Sequence, residues 1–149
     1  MRPVSIVRFE QAYLGSIALW LANMALGWPT ILRQLEAQPQ FRGNPQMIEL
    51  GGTLLMGGVV AILVLWLLLW YFTARRASVV TKWIVTGFTA LGALRLPLVL
   101  LGAPVAGWLT TTLSIAAFAL AALATWLLFR PDAKTWFAGD DAAAEAPFE

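Results

Sequence analysis

Four apolar stretches divide the chain, separated by short polar or charged segments. A helix that crosses about 30 Å of hydrocarbon needs about 20 mostly apolar residues, and all four stretches reach that length. The first, "AYLGSIALWLANMALGWPTIL", runs from Ala12 to Leu32, with no charge between Glu10 and Arg33. Proline disfavours the α conformation in the residue before it, so the Trp28-Pro29 step predicts the end of this helix and a span of about 9–28. The second stretch, Leu50 to Ala74, is 25 residues without a charge and predicts a span of 50–73. The third, "VVTKWIVTGFTALGALRLPLVLL", carries Lys82, Arg95 and Pro97. It predicts a span of 79–96, or to 101 if the helix continues through the proline. The fourth, Trp108 to Phe129, predicts a span of 108–129.

The second and fourth stretches are apolar all round, whereas helices of soluble proteins keep a polar face. Composition agrees: 60% of residues are hydrophobic and 12% charged, against about 45–50% and about 25% in a soluble domain. The pattern therefore predicts an all-α protein, an integral membrane four-helix bundle. The basic start followed by an apolar run has the outline of a secretion signal. The run is long, however, and no A-x-A site follows it, so the first span is expected to be retained.

Lys and Arg placement sets orientation. Arg2, Arg8, Arg75, Arg76, Lys82, Arg130 and Lys134 fall on one side, and Arg33, Arg42 and Arg95 on the other, a bias of 7 to 3. Both termini are expected in the cytoplasm. The polar segment 33–46 then reads as an external loop, Arg75 to Ser78 as a tight inner turn, and "GAPVAG", 102–107, as a short outer turn. After the fourth span, residues 130–137 read as an interfacial anchor with Arg130, Lys134 and Trp136, and Trp136 and Phe137 lying back into the headgroups. Residues 139–149 are acidic and rich in small residues, and read as a disordered tail.

The chain has no Cys and no His, which removes disulfides, thiolate chemistry and the commonest general base. No phosphate-binding loop, nucleophile elbow or zinc spacing is present. Asp140-Asp141 is a lone acidic pair. No cofactor, metal site or catalytic set is expected, and a net charge of +2 with dispersed cations does not favour nucleic acid.

Charges near or inside spans are functional candidates by default. Lys82 lies one turn into span three, close enough to the boundary for its head to reach the headgroups. Arg95 lies 17 residues past Ser78 in span three, near the outer boundary of the hydrocarbon if the helix ends there and deeper if it continues past Pro97. It is level with Leu55 to Gly58 of span two, where Gly57 and Gly58 allow close approach. Glu49 opens span two, where it would meet water or favour the helix N-terminus, and Arg95 reaching outward could meet it. Glu10 lies near the inner end of span one, with Arg8 beside it as a compensating charge. Small residues form a second class of candidates: Gly57 and Gly58 on span two, and Ala117, Ala121 and Thr125 at four-residue spacing on span four, which let helices approach closely.

Two stretches, "RFEQAYL" at 8–14 and "LLFRPDAKTWF" at 127–137, resemble the ends of small uncharacterised bacterial membrane proteins with four helices. The resemblance implies a bacterial inner-membrane location and no particular activity. Apart from the presence of a Glu, the first helix lacks the acidic motif of small multidrug-resistance transporters. The leading expectation is a non-catalytic protein that acts by association, with lipid and either another membrane protein or a second copy as partner. The alternative is a small dimeric transporter or channel using Glu10, Glu49 or Arg95.

Overall fold

The computed structural model describes residues 2–39, 41, 43–102 and 107–144. Among these the chain is all helical, with five helices: α1 (Val4–Ala37), α2 (Pro45–Arg76), α3 (Val79–Leu101), α4 (Trp108–Leu127) and α5 (Pro131–Ala144). The first four are long and apolar enough to cross a membrane. They alternate in direction. One end of the bundle therefore holds the start of α1, the α2–α3 turn and α5, and is called the terminal end below. The α1–α2 and α3–α4 connections lie at the distal end.

The principal difference from the sequence pattern is at Pro29. The helix does not stop there but continues to Ala37. Proline removes one backbone donor and crowds the preceding turn, so continuation needs compensation. Downstream packing supplies it. Leu32 and Leu35 lie over Gly52 and Gly51 of α2, where a Cβ built on Gly51 would stand 3.0 Å from the Leu35 side chain. Arg33 Nε also donates to the Pro29 carbonyl at 3.3 Å. The polar segment 33–46 is thereby shortened to the few residues between α1 and α2. Asn44 ends it, accepting from the Met47 amide at 3.3 Å and so capping α2.

α3 likewise runs through Pro97 to Leu101, so the helix itself has the longer of the two expected lengths. The α2–α3 turn is tight: Ala77 adopts a left-handed conformation at φ 54°, the Ser78 amide donates back to Phe72, and Ser78 Oγ caps α3. The 102–107 turn has residues 103–106 outside the described set, as are Arg42 and residues 145–149 of the predicted tail. The backbone of α5 continues to Ala144, past the start of that tail.

The core sits at the terminal end. Ile6, Phe9, Tyr13, Leu69, Val85 and Leu128 are buried there, and Ala133 and Phe137 of α5 complete it. α5 is thus a packed element. Phe137 lies in the protein interior, not in a headgroup layer as the anchor reading expected, because its ring closes the space between Phe9 and the ends of α3 and α4. α1 and α4 form the most intimate pair; Gly15 admits Leu120 to 3.4 Å of its Cβ position. α3 is held more loosely, burying only Val85.

Candidate functional site

Because α3 leans on α4 and only partly on α2, a groove of about 470 Å³ opens between α1, α3 and α4. Its walls are mainly apolar and aromatic. Trp20 and Trp66 meet edge to face at 4.7 Å, and Phe88 and Phe118 face them across the groove. Polar groups punctuate this surface. Thr89 and Thr125 hydroxyls lie 2.7 Å apart and tie α3 to α4. Asn23 Nδ2 donates to Ser114 Oγ at 2.8 Å, joining α1 to α4.

Arg95 lines the distal part of this groove. It stands 16 residues into α3, about 24 Å along the axis at about 1.5 Å per residue, and has neither hydrogen bond nor ion pair among the described residues. Glu49 is elsewhere. It lies exposed on a shallow groove of about 570 Å³ between α1 and α2, beside Glu36 and Trp28. The structure does not bring Glu49 and Arg95 together.

Glu10 belongs to a third place. At the terminal end its carboxylate accepts from Arg2 Nη1 at 2.8 Å and Arg75 Nη2 at 3.2 Å. The compensating charges are therefore Arg2 and Arg75, not Arg8. Arg2 is eight positions from Glu10, outside the helical i±3/i±4 spacing a sequence scan would test, and Arg75 comes from another helix. Lys82 does not reach into open headgroups alone. Its ammonium stands over the Phe129 and Phe137 rings at 4.3 and 4.9 Å.

The anchor residues divide. Arg130 and Lys134 are exposed, with Arg130 stacked on Trp126 at 5.3 Å. Trp136 is half-buried against the core. Between them Asp132 accepts a hydrogen bond from the Ser5 amide at 3.2 Å. Ser5 lies in the first turn of α1, whose unpaired amides favour a nearby carboxylate. Desolvation acts to raise the Asp132 carboxyl, but the Ser5 hydroxyl and amide, its own backbone and the Arg130 charge outweigh it and hold the group below the usual carboxylate value. Of the two Ser5 groups, the amide makes the hydrogen bond of good geometry; the hydroxyl lies without a bonded partner.

The small-residue candidates also divide. Ala117 and Ala121 line the groove, and Thr125 is buried at the α3–α4 tie. Gly57 and Gly58 face nothing: a Cβ on either would meet no atom within 4 Å. Sequence reasoning missed Asn23, Tyr13 and Ser114. Asn23 had a signal, being the one amide side chain in the uncharged stretch 12–32.

Fold and groove together define an all-helical protein with four helices able to span a membrane. No family model, curated protein or solved structure matches the chain.

Proposed function

We propose that this is a non-catalytic, multi-pass protein of the bacterial inner membrane that acts by associating with another membrane-spanning chain, or with a second copy of itself. The observation that carries the reading is the face of α2 around Gly57 and Gly58. These glycines sit mid-helix where an added Cβ would meet no atom within 4 Å, whereas Gly51 and Gly52 are covered by α1. All three buried residues of α2, Leu69, Thr73 and Ala74, lie in its last third. In lipid, exposed leucines need no partner, but a flat small-residue patch favours close approach of another helix.

Orientation with both termini in the cytoplasm is supported by the gathering of Arg2, Arg75, Lys82, Arg130 and Lys134 at the terminal end. A reporter fused after Glu149 should be active only in the cytoplasm.

The chain has no Cys, so a single cysteine gives a clean crosslink. Ala61→Cys, one turn from Gly57 on the same exposed face, should trap a dimer or a heterologous partner in native membranes. Gly58→Leu in the same background should abolish the product. A monomer under both conditions would overturn the reading. The transport alternative draws support from the Arg95 groove, though Glu10, Glu49 and Arg95 occupy three separate sites. It requires that reconstituted vesicles move a solute and that Arg95→Gln stop it.

A further inference from the structure

The groove between α1, α3 and α4 holds three polar groups that the bundle leaves without partners. The first is the Arg95 guanidinium. The second is Asn23 Oδ1, buried and unpaired. Ser114 Oγ gives its hydrogen to the Thr110 carbonyl and accepts from the Asn23 amide nitrogen, and in this arrangement the carbonyl oxygen is left covered at the groove wall without a donor. The third is Tyr13, only 7% exposed, which lines the terminal part of the groove with its hydroxyl unbonded. An unpaired cation and an unpaired buried acceptor are both costly where water is scarce.

No acidic residue lines the groove, and Arg95 is exposed, which leaves its guanidinium free to take a counter-charge from an occupant. That occupant needs an anionic group for the guanidinium and a hydrogen-bond donor for Asn23. Both lie toward the distal end, about 24 and about 28 Å along their helices from the terminal end. Below them the wall is aromatic, from Trp20 and Trp66 down to Val85. From Val99 to Val85 the groove is about 21 Å long, enough for a headgroup and a chain the depth of one leaflet, about 15 Å. Its volume is in the ordinary range for a ligand site.

We propose that this groove binds one lipid of the distal leaflet, with an anionic phosphate on Arg95, a headgroup hydroxyl donating to Asn23 Oδ1, and an acyl chain along the aromatic wall. The planar fork of arginine matches two phosphate oxygens, which a lysine ammonium does not. The inference rests on membrane insertion but not on association through α2, and lipid bound per monomer separates the two.

The test is a lipid titration of the full chain in mild detergent, read as adducts by native mass spectrometry. Phosphatidylglycerol, which has a net negative charge and free hydroxyls, should give a single adduct at least about tenfold tighter than phosphatidylcholine, whose phosphate is balanced by its own choline cation and which has no free headgroup hydroxyl. Arg95→Gln should weaken phosphatidylglycerol by about tenfold or more, and Arg95→Lys by less. Asn23→Leu should narrow the preference between the two lipids. Arg76→Gln, at the other end, should change nothing. Should Arg95→Gln not fold, the Arg95→Lys and Asn23→Leu results decide. Equal binding of both lipids, or equal loss in Arg76→Gln, would overturn the proposal. Displacement of the lipid by millimolar inorganic phosphate would overturn it in favour of a free-anion site.

Discussion

Glu10 takes part in both ion pairs found among the described residues, and its replacement by glutamine tests whether they clamp the terminal end. The carboxylate holds Arg2 and Arg75, so one residue ties the chain start to the end of α2. The partner side chains are 33% and 46% exposed, and Glu10 itself 17%. Pairs of this exposure contribute about 0.2–1 kcal/mol each, so losing both should cost about 0.5–2 kcal/mol. Glutamine also leaves two guanidinium groups facing each other without an anion between them. The assay is denaturant unfolding in mild detergent, followed by helical signal, for Glu10→Gln, Arg75→Gln and the double variant. The cycle should return a coupling of about 0.5 kcal/mol. Raising ionic strength from about 0.01 M to about 1 M shortens the screening length from about 30 to about 3 Å, and the cost of Glu10→Gln should shrink accordingly. Additive variants with no coupling, or a cost indifferent to salt, would refute the clamp.

Three further outcomes follow from the same geometry. Phe9 is fully buried and stacks on Tyr13 at 5.3 Å, so Phe9→Ala should destabilise the terminal-end core. The cost should fall at about 3–5 kcal/mol; a smaller loss than for Val85→Ala would contradict the core assignment. Ala77 is left-handed without being glycine, a conformation that costs an L-residue about 1 kcal/mol. Ala77→Gly should therefore stabilise the α2–α3 turn, and a net loss in thermal unfolding would show that its methyl packing outweighs the strain. Asp132 titrates below its usual 3.8 in the folded protein, so its contribution is present above that value and disappears as pH falls through the folded one. Asp132→Asn should flatten the wild type's extra loss of stability on the acid side of about pH 4, and parallel pH profiles for both proteins would rule out the cap on α1.

The four long helices were legible because they follow from composition over windows of twenty residues, where no tertiary detail is needed. Their ends were less so. Pro29 carries a strong local signal to stop, and it is overridden by Leu32 and Leu35 packing onto Gly52 and Gly51, a contact between positions that only the folded α1–α2 pair brings together. The charges show the same limit. Arg8 is near Glu10 in sequence, but Arg2 and Arg75 are near it in space. Asp132 follows a proline and looks like a first-turn residue of its own helix, yet it also serves the start of α1, more than a hundred residues away. Arg95 was marked by its place in an apolar span; its groove was not, since the groove is lined from α1, α3 and α4 together and exists only where the fold makes α3 diverge from α2.

That divergence links the two ends of the molecule. At the terminal end α2 and α3 are joined by a tight turn and by the Thr73–Thr81 hydroxyl pair at 3.0 Å, and Lys82 over the rings of Phe129 and Phe137 ties α3 to the end of α4 and to α5. α5 seals this end by placing Phe137 in the core and Asp132 on α1. Toward the distal end α3 has the Thr89–Thr125 tie to α4 and then no further polar bond from its side chains among the described residues. The polar ties of α3 thus lie at its base, with only the apolar seat of Gly92 on Phe118 above them, and the α1–α3–α4 groove stays open at the level of Arg95 and Asn23. Removing the base should then affect the groove from a distance. A chain shortened before Pro131 loses Phe137 and Asp132, lets the lower halves of α3 and α4 repack, and should weaken whatever binds at Arg95 although no groove residue has been touched.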